Sequence, residues 1–383
     1  MLPEPPADLS SQVEAALRED IGSGDVTAAL VPAAQQVRGN LLTREDAVLC
    51  GRPWAEETFR RLDPRVQLTW HAGDGDPIAA RQVVFAITGP ARAVLTGERT
   101  ALNFLQLLSA TATATRRFVE AIAGTTCRIL DTRKTLPGLR TAQKYAVLCG
   151  RPWAEETFRR LDPRVQLTWY AGDGDPIAAR QVVFAITGPA RAVLTGERTA
   201  LNFLQLLSAT ATATRRFVEA IAGTTCRILD TRKTLPGLRT AQKYAVLCGG
   251  GDNHRIGLYD RVLIKENHVA AAGSITGAIE AARRTAPAVT VEVEVESLGE
   301  LTEALNARPD IVMLDDFSLQ DLAAAVRLNR AHGAPVKLEA SGSVSLETVR
   351  AIAATGVDYV SVGALTKHVR AIDLSLRLDF SGG

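Results

Sequence analysis

A block of 99 residues occurs twice in tandem in this 383-residue chain, and no other feature limits the possible folds as much. Residues Ala47–Tyr145 recur as Ala146–Tyr244 with one difference, His71 against Tyr170. Solenoid repeats have periods of roughly 20–50 residues, drift in sequence and need about three copies to bury a core. This unit is too long, too few in number and too well preserved for that. It reads as a recent or artificial duplication inside a shorter protein. Removing one copy leaves 284 residues (383 − 99). The pentapeptide AVLCG stands at Ala47–Gly51, Ala146–Gly150 and Ala245–Gly249, where a crossover or an assembly error would join.

Hydrophobic periodicity predicts a small α+β layer at the front: a helix over Leu9–Ile21, a strand over Val37–Thr43 and a short amphipathic helix, RPWAEETFRRL. Strands VQLTW and VVFAITG follow around a GDGDP turn, then a long helix over Gly97–Ala123. The repeat carries two candidates for the next strand, Arg128–Lys134 and Arg227–Lys233. The second continues through its own helix, Leu238–Cys248, by the short right-handed crossover expected of parallel strands. From there strand and helix alternate to VDYVSVGALT, six strands in all. The expected fold class is α/β, an incomplete parallel α/β barrel plus a smaller α+β N-terminal domain. The expected domains are 1–123, a duplicated segment 124–222, and a barrel with a C-terminal tail over 223–383.

A net charge of +2 and basic residues without interleaved aromatics argue against nucleic acid. No apolar run reaches the ~18 residues of a membrane span, and the start lacks a signal-peptide pattern. Five cysteines without CxxC spacing suggest reduced thiols in the cytoplasm. Lysine is scarce, seven against 37 arginines, so Lys233 and Lys265 at strand ends stand out.

Leu229–His268 gathers Arg232, Lys233, His254, Arg255 and Lys265, with Arg239 and Lys243 between them. Cations at the ends of successive parallel strands describe an anion site at a barrel mouth. In VTVEVEVES the three valines face the covering helices, and Glu292, Glu294 and Glu296 face inward. Interior carboxylates need partners. Lys337, on the face of Glu339, can supply a cation, and Glu292 reads as half of an interior ion pair. Glu294 and Asp315 lie nearer the ligand end, suited to ribose hydroxyls or to magnesium through water. Ser341-Gly342-Ser343 and Gly363-Ala364 end the last two strands with exposed N–H groups, a place where barrels hold phosphate. The expected ligands are a phosphorylated ribose and a second anion. Lys265 as a Schiff-base lysine is the alternative, although neighbouring carboxylates would keep its proton on.

These motifs resemble the quinolinate phosphoribosyltransferase family. The matching segments are REDIGSGDVT, LTGERTALNFLQLLS, LDTRKTLPGLR, QKYAVLCGGGDNHRIGLYDRVLIKENH, VEVEVES, IVMLDD, KLEASG and VSVGALT. The resemblance implies a homodimer or higher homo-oligomer whose sites join one subunit's barrel to the other's front domain. It implies that Arg232, His254, Arg255 and Lys265 hold the two carboxylates of quinolinate, with Arg99 or Arg198 from the partner chain, and that Thr231 is substrate-binding. Lys233, Glu294 and Asp315 would engage phosphoribosyl pyrophosphate and Mg2+. Ser341, Gly342, Gly363 and Ala364 would bind its 5-phosphate, with Ser343 and Val362 also substrate-binding. The implied reaction is phosphoribosyl transfer with decarboxylation in NAD biosynthesis. The alternatives are a phosphoribosyltransferase for another small anion, or an inactive or domain-swapped variant produced by the duplication.

Overall fold

The computed structural model describes residues 5–125, 127–130 and 145–378. The first front unit comprises α1 (Leu9–Ile21), β1 (Gln36–Leu42), β2 (Ala47–Val48), α2 (Arg52–Leu62), β3 (Gln67–Trp70), β4 (Pro77–Ile78), β5 (Val83–Pro90) and α3 (Ala91–Ala121). An antiparallel sheet of order β1-β5-β3 packs its apolar face, with Phe85 and Ile87, against Phe59 of α2 and Leu105 of α3. The long helix begins six residues before the expected Gly97, because Pro90 sits just ahead of the first turn, where a missing N–H costs nothing.

The second unit repeats the pattern with β6 (Tyr145–Val147), α4 (Arg151–Leu161), β7 (Gln166–Trp169), β8 (Pro176–Ala178), β9 (Phe184–Thr187) and α5 (Ala190–Ala220). The counterparts of α1 and β1 are missing, since both precede the repeat. Its sheet is therefore only β7-β9. Ile372, Leu374, Leu376 and Leu378 of the C-terminal tail pack on its core instead, and Gln205 donates to Leu374 O at 3.0 Å.

The remaining chain forms β10 (Arg227–Leu229), α6 (Arg239–Cys248), β11 (Val262–Ile264), α7 (Glu266–Ala272), α8 (Ile275–Thr285), β12 (Val291–Val295), α9 (Leu298–Ala307), β13 (Ile311–Asp315), α10 (Leu319–Ala331), β14 (Lys337–Ser341), α11 (Val349–Ala354), β15 (Tyr359–Ser361) and α12 (Ala364–Lys367). The six strands make one parallel sheet of order β10-β15-β14-β13-β12-β11. Strands β10 and β11 are consecutive in the chain yet stand at opposite edges, so the barrel is open between them. The N-terminal segment covers the β11 edge: Thr27 Oγ1 accepts from Leu263 N at 3.4 Å, and Val26 N donates to Leu258 O at 3.0 Å. Sequence reading passed over α7, whose seven residues are too few to show a helical period.

The first barrel strand comes from the second copy. Of the first copy's candidate, Asp131–Lys134 lie outside the described residues, and Arg128–Leu130 have no regular structure. The two long helices, identical in sequence, differ in their surroundings. Phe217 of α5 is 7% exposed in the barrel core, whereas its counterpart Phe118 of α3 is 58% exposed. Helix α5 carries the barrel and α3 does not. No helix among the described residues is long and apolar enough to cross a membrane.

Candidate active site

A cavity of about 450 Å³ opens at the C-terminal ends of the barrel strands and is roofed by the first front unit. Thr231, Arg232 and Lys233 follow β10, His254 and Arg255 stand on the turn before β11, and Lys265 follows β11. Glu294, Asp315 and Ser341-Gly342-Ser343 come from the ends of β12, β13 and β14, and Gly363 follows β15. Arg99 enters from α3 and Arg44 from the loop after β1. Three candidates do not line it: Arg198, on the second front unit; Val362, 1% exposed in the barrel core; and Ala364, the first residue of α12.

The cations are held from behind by carboxylates. Asp20, at the end of α1 and fully buried, accepts from Arg232 Nη2 at 2.7 Å and is also bonded to Arg239. Burial opposes its charge, but the two guanidiniums outweigh burial and keep its pKa well below the usual range. Asn103 of α3 donates to Arg232 O at 3.1 Å, which ties the roof to the floor. Lys243 pairs with buried Asp230, which also accepts from His254 N at 2.8 Å. The turn carrying His254 and Arg255 is thereby fixed to β10 and α6.

His254 Nε2 lies 2.9 Å from fully buried Glu292, and Arg261 Nη1 lies 3.1 Å from the same carboxylate. Burial disfavours the Glu292 charge, yet His254 and Arg261 together lower its pKa to about 2. The interior ion pair expected at Glu292 therefore exists with Arg261 as its cation, while burial lowers His254 below its ordinary value, so the imidazole is a polar neighbour of the carboxylate and not the expected cation. Lys337 lies 2.7 Å from Asp358 near the opposite end of the sheet, because it opens β14 and its residue is exposed. Glu339, buried beside Glu292, is raised well above the ordinary value by burial and by that neighbouring charge.

Three cations crowd the mouth, and in each the nearby carboxylates fail to offset burial and like-charge repulsion. Burial lowers Arg255 to about 9, helped by Arg232. Burial lowers Arg99 in the same direction; Glu98 opposes it, and Arg232 and Arg239 add repulsion. Burial lowers Lys233 to about 8, with Arg99, Lys367 and Lys265 adding repulsion. A Cβ at Gly363 would come within 3.1 Å of Lys233 Cδ, so the lysine lies across this glycine. Like charges that depress one another in a cleft favour a polyanionic ligand. Lys265 pairs with Glu294, whose pKa burial raises and nearby Asp315 raises further. Glu294 and Asp315 are hard oxygen donors close enough to feel each other, which fits Mg2+ held through one or two carboxylates and water.

Sequence reasoning missed Asp20, Asp25, Arg44 and His268. Asp20 and Asp25 stand beside the GSG turn, where an acidic residue looks like a loop residue. Arg44 is a single residue without a motif of its own, and His268 ends the matching segment DRVLIKENH but was given no role there. Burial lowers His268 to about 4, so it is neutral near pH 7.

Two family models match the chain. The C-terminal domain of quinolinate phosphoribosyl transferase matches residues 210–377, and the N-terminal domain matches twice, at 25–109 and 125–208. A probable carboxylating nicotinate-nucleotide pyrophosphorylase of Synechocystis is 43% identical over 238 residues, covering 62% of this chain and 81% of that protein. The corresponding Bacillus subtilis protein is 42% identical over 241 residues, covering 63% and 82%. The Mycobacterium leprae nicotinate-nucleotide pyrophosphorylase is 48% identical over 206 residues, covering 54% and 72%. With one catalytic-type barrel and two front units, this chain belongs to the quinolinate phosphoribosyltransferase family.

Proposed function

We infer that this chain is a pentosyltransferase joining quinolinate to the ribose of phosphoribosyl pyrophosphate. The products are nicotinate mononucleotide, carbon dioxide and pyrophosphate, a step of NAD biosynthesis. The observation that carries this is the convergence of Arg99, Arg232, Lys233, Arg255 and Lys265 on one cavity, beside Glu294, Asp315 and the glycine-marked strand ends. Quinolinate brings two carboxylates and phosphoribosyl pyrophosphate brings three phosphoryl groups, and the cations match that demand. Arg99, Arg232 and Arg255 would take the dicarboxylate through planar N–H forks. Lys265 would add a point charge at the dicarboxylate, and Lys233 is a point charge suited to the phosphates. The N–H groups around Gly342 and Gly363 would take the 5-phosphate. Glu294 and Asp315 would hold Mg2+, which when bound neutralises charge on the departing pyrophosphate.

The pyridine nitrogen attacks the anomeric carbon as the C–O bond to pyrophosphate breaks. Loss of carbon dioxide then leaves an electron pair next to the cationic ring nitrogen, and that carbon takes up a proton. The protein's share is positioning and charge stabilisation in a cleft of low dielectric. The proposed setting is the cytoplasm. Carboxyl-labelled quinolinate tests the reading. Labelled carbon dioxide should appear only with phosphoribosyl pyrophosphate and Mg2+ present. Binding of both substrates without release would leave an anion-binding variant in its place.

A further inference from the structure

The duplication supplies two identical candidates for the roof, and the structure uses them differently. Arg99 lines the cavity and Arg198 does not. The first unit also brings what the repeat lacks. Arg44, Asp20 and Thr27 precede residue 47 and occur once. Thr100 and Thr96 of α3 donate to Asp20 and Asp25 at 3.3 and 2.7 Å, so roof, N-terminal segment and barrel form one bonded layer. The second unit is committed elsewhere. Its helix α5 is built into the barrel through Phe217, with Ile221 just beyond the helix end, and its sheet is covered by the C-terminal tail.

We propose that this chain completes its own active site: the first front unit closes the barrel of the same chain with Arg99 and Arg44, and the second unit is a structural mount. One chain is then one competent catalytic unit, and Arg198 is dispensable. This rests on the transferase reading above for its activity measurements, but not for the placement of the roof.

The test has three arms. In the first, Arg198→Ala should keep turnover within about twofold of the parent. Arg99→Ala should lose at least ~10-fold in kcat/KM for quinolinate, since a charge-assisted contact is removed. Arg99→Lys, which keeps the charge and the fold, should recover part of that loss. Equal losses for Arg99→Ala and Arg198→Ala would overturn the proposal. In the second, Arg99→Ala and Lys233→Ala chains are unfolded together and refolded. Roofs exchanged between chains would restore activity, and the proposal expects no restoration.

The third arm needs no turnover. Heavy-isotope and ordinary chains carrying Glu197→Gln and Lys134→Arg, which make the Glu98 and Lys233 peptides unique in the repeat, are refolded as a mixture and treated with a zero-length carboxyl–amine cross-linker. Links from Glu98 to Lys233 or Lys265 should join peptides of one isotope only. Mixed-isotope links overturn closure within the chain. A parent that releases no carbon dioxide but gives single-isotope links overturns the transferase reading and leaves the closure standing.

Discussion

Lys233 has a charge set by its company. Burial and three neighbouring cations bring its pKa down to about 8, so it is protonated below that pH and loses its charge above it. The kcat/KM for phosphoribosyl pyrophosphate reports the free enzyme. It should fall as pH rises through about 8, and Lys233→Arg should move that limb up, because arginine stays charged. A profile flat to pH 9 would show that Lys233 does not meet the substrate. Gly342 is a second such residue. Its φ of +98° is open to glycine, and a Cβ there would collide with Asp316. Gly342→Ala should raise the requirement for phosphoribosyl pyrophosphate at least tenfold, with a smaller change for quinolinate. Equal changes would place the phosphate elsewhere.

At the scale of elements, α3 and α5 form an internal control. Phe217→Ala removes a side chain from the barrel core and should cost about 3–5 kcal/mol. Phe118→Ala changes an exposed ring and should stay within about 0.5 kcal/mol. Chemical denaturation of the two variants measures both. Similar losses would mean that both helices are docked. Helix α1 depends on one carboxylate. Asp20 has its pKa held below the unfolded value, so its stabilisation is present above the unfolded pKa and is lost as pH falls through the folded one. Asp20→Asn leaves two buried guanidiniums without their partner, and at pH 7 it should cost about 3–5 kcal/mol. Protection of α1 amides from hydrogen exchange should fall first.

For the whole molecule, the shortened chain is the informative variant. Deleting Ala146–Tyr244 leaves one long helix, and the seat that α5 occupies on the barrel would pass to α3. Arg99 would then stand where Arg198 stands now, outside its own cavity. The 284-residue protein should fold, and it should be active only as an oligomer that brings a neighbour's Arg99 across. Its activity per chain should fall on dilution, whereas that of the full chain should not. Equal dilution behaviour would mean that the second unit does not act as the mount.

The alternation of helix and strand, the inward glutamates of β12 and the cation-rich turns were legible in the sequence, because they follow from side-chain period and local chemistry. The polarity of Ser341-Gly342-Ser343 and Gly363 was legible for the same reason. The partner of Glu292 was not, since Arg261 and His254 reach it from segments that only the folded sheet brings alongside. Nor could sequence choose between Arg99 and Arg198. Two identical segments have identical local preferences. What separates them is that α1, β1 and Arg44 exist once, while the barrel has one seat for a long helix, and those are facts about space that the tertiary structure alone decides.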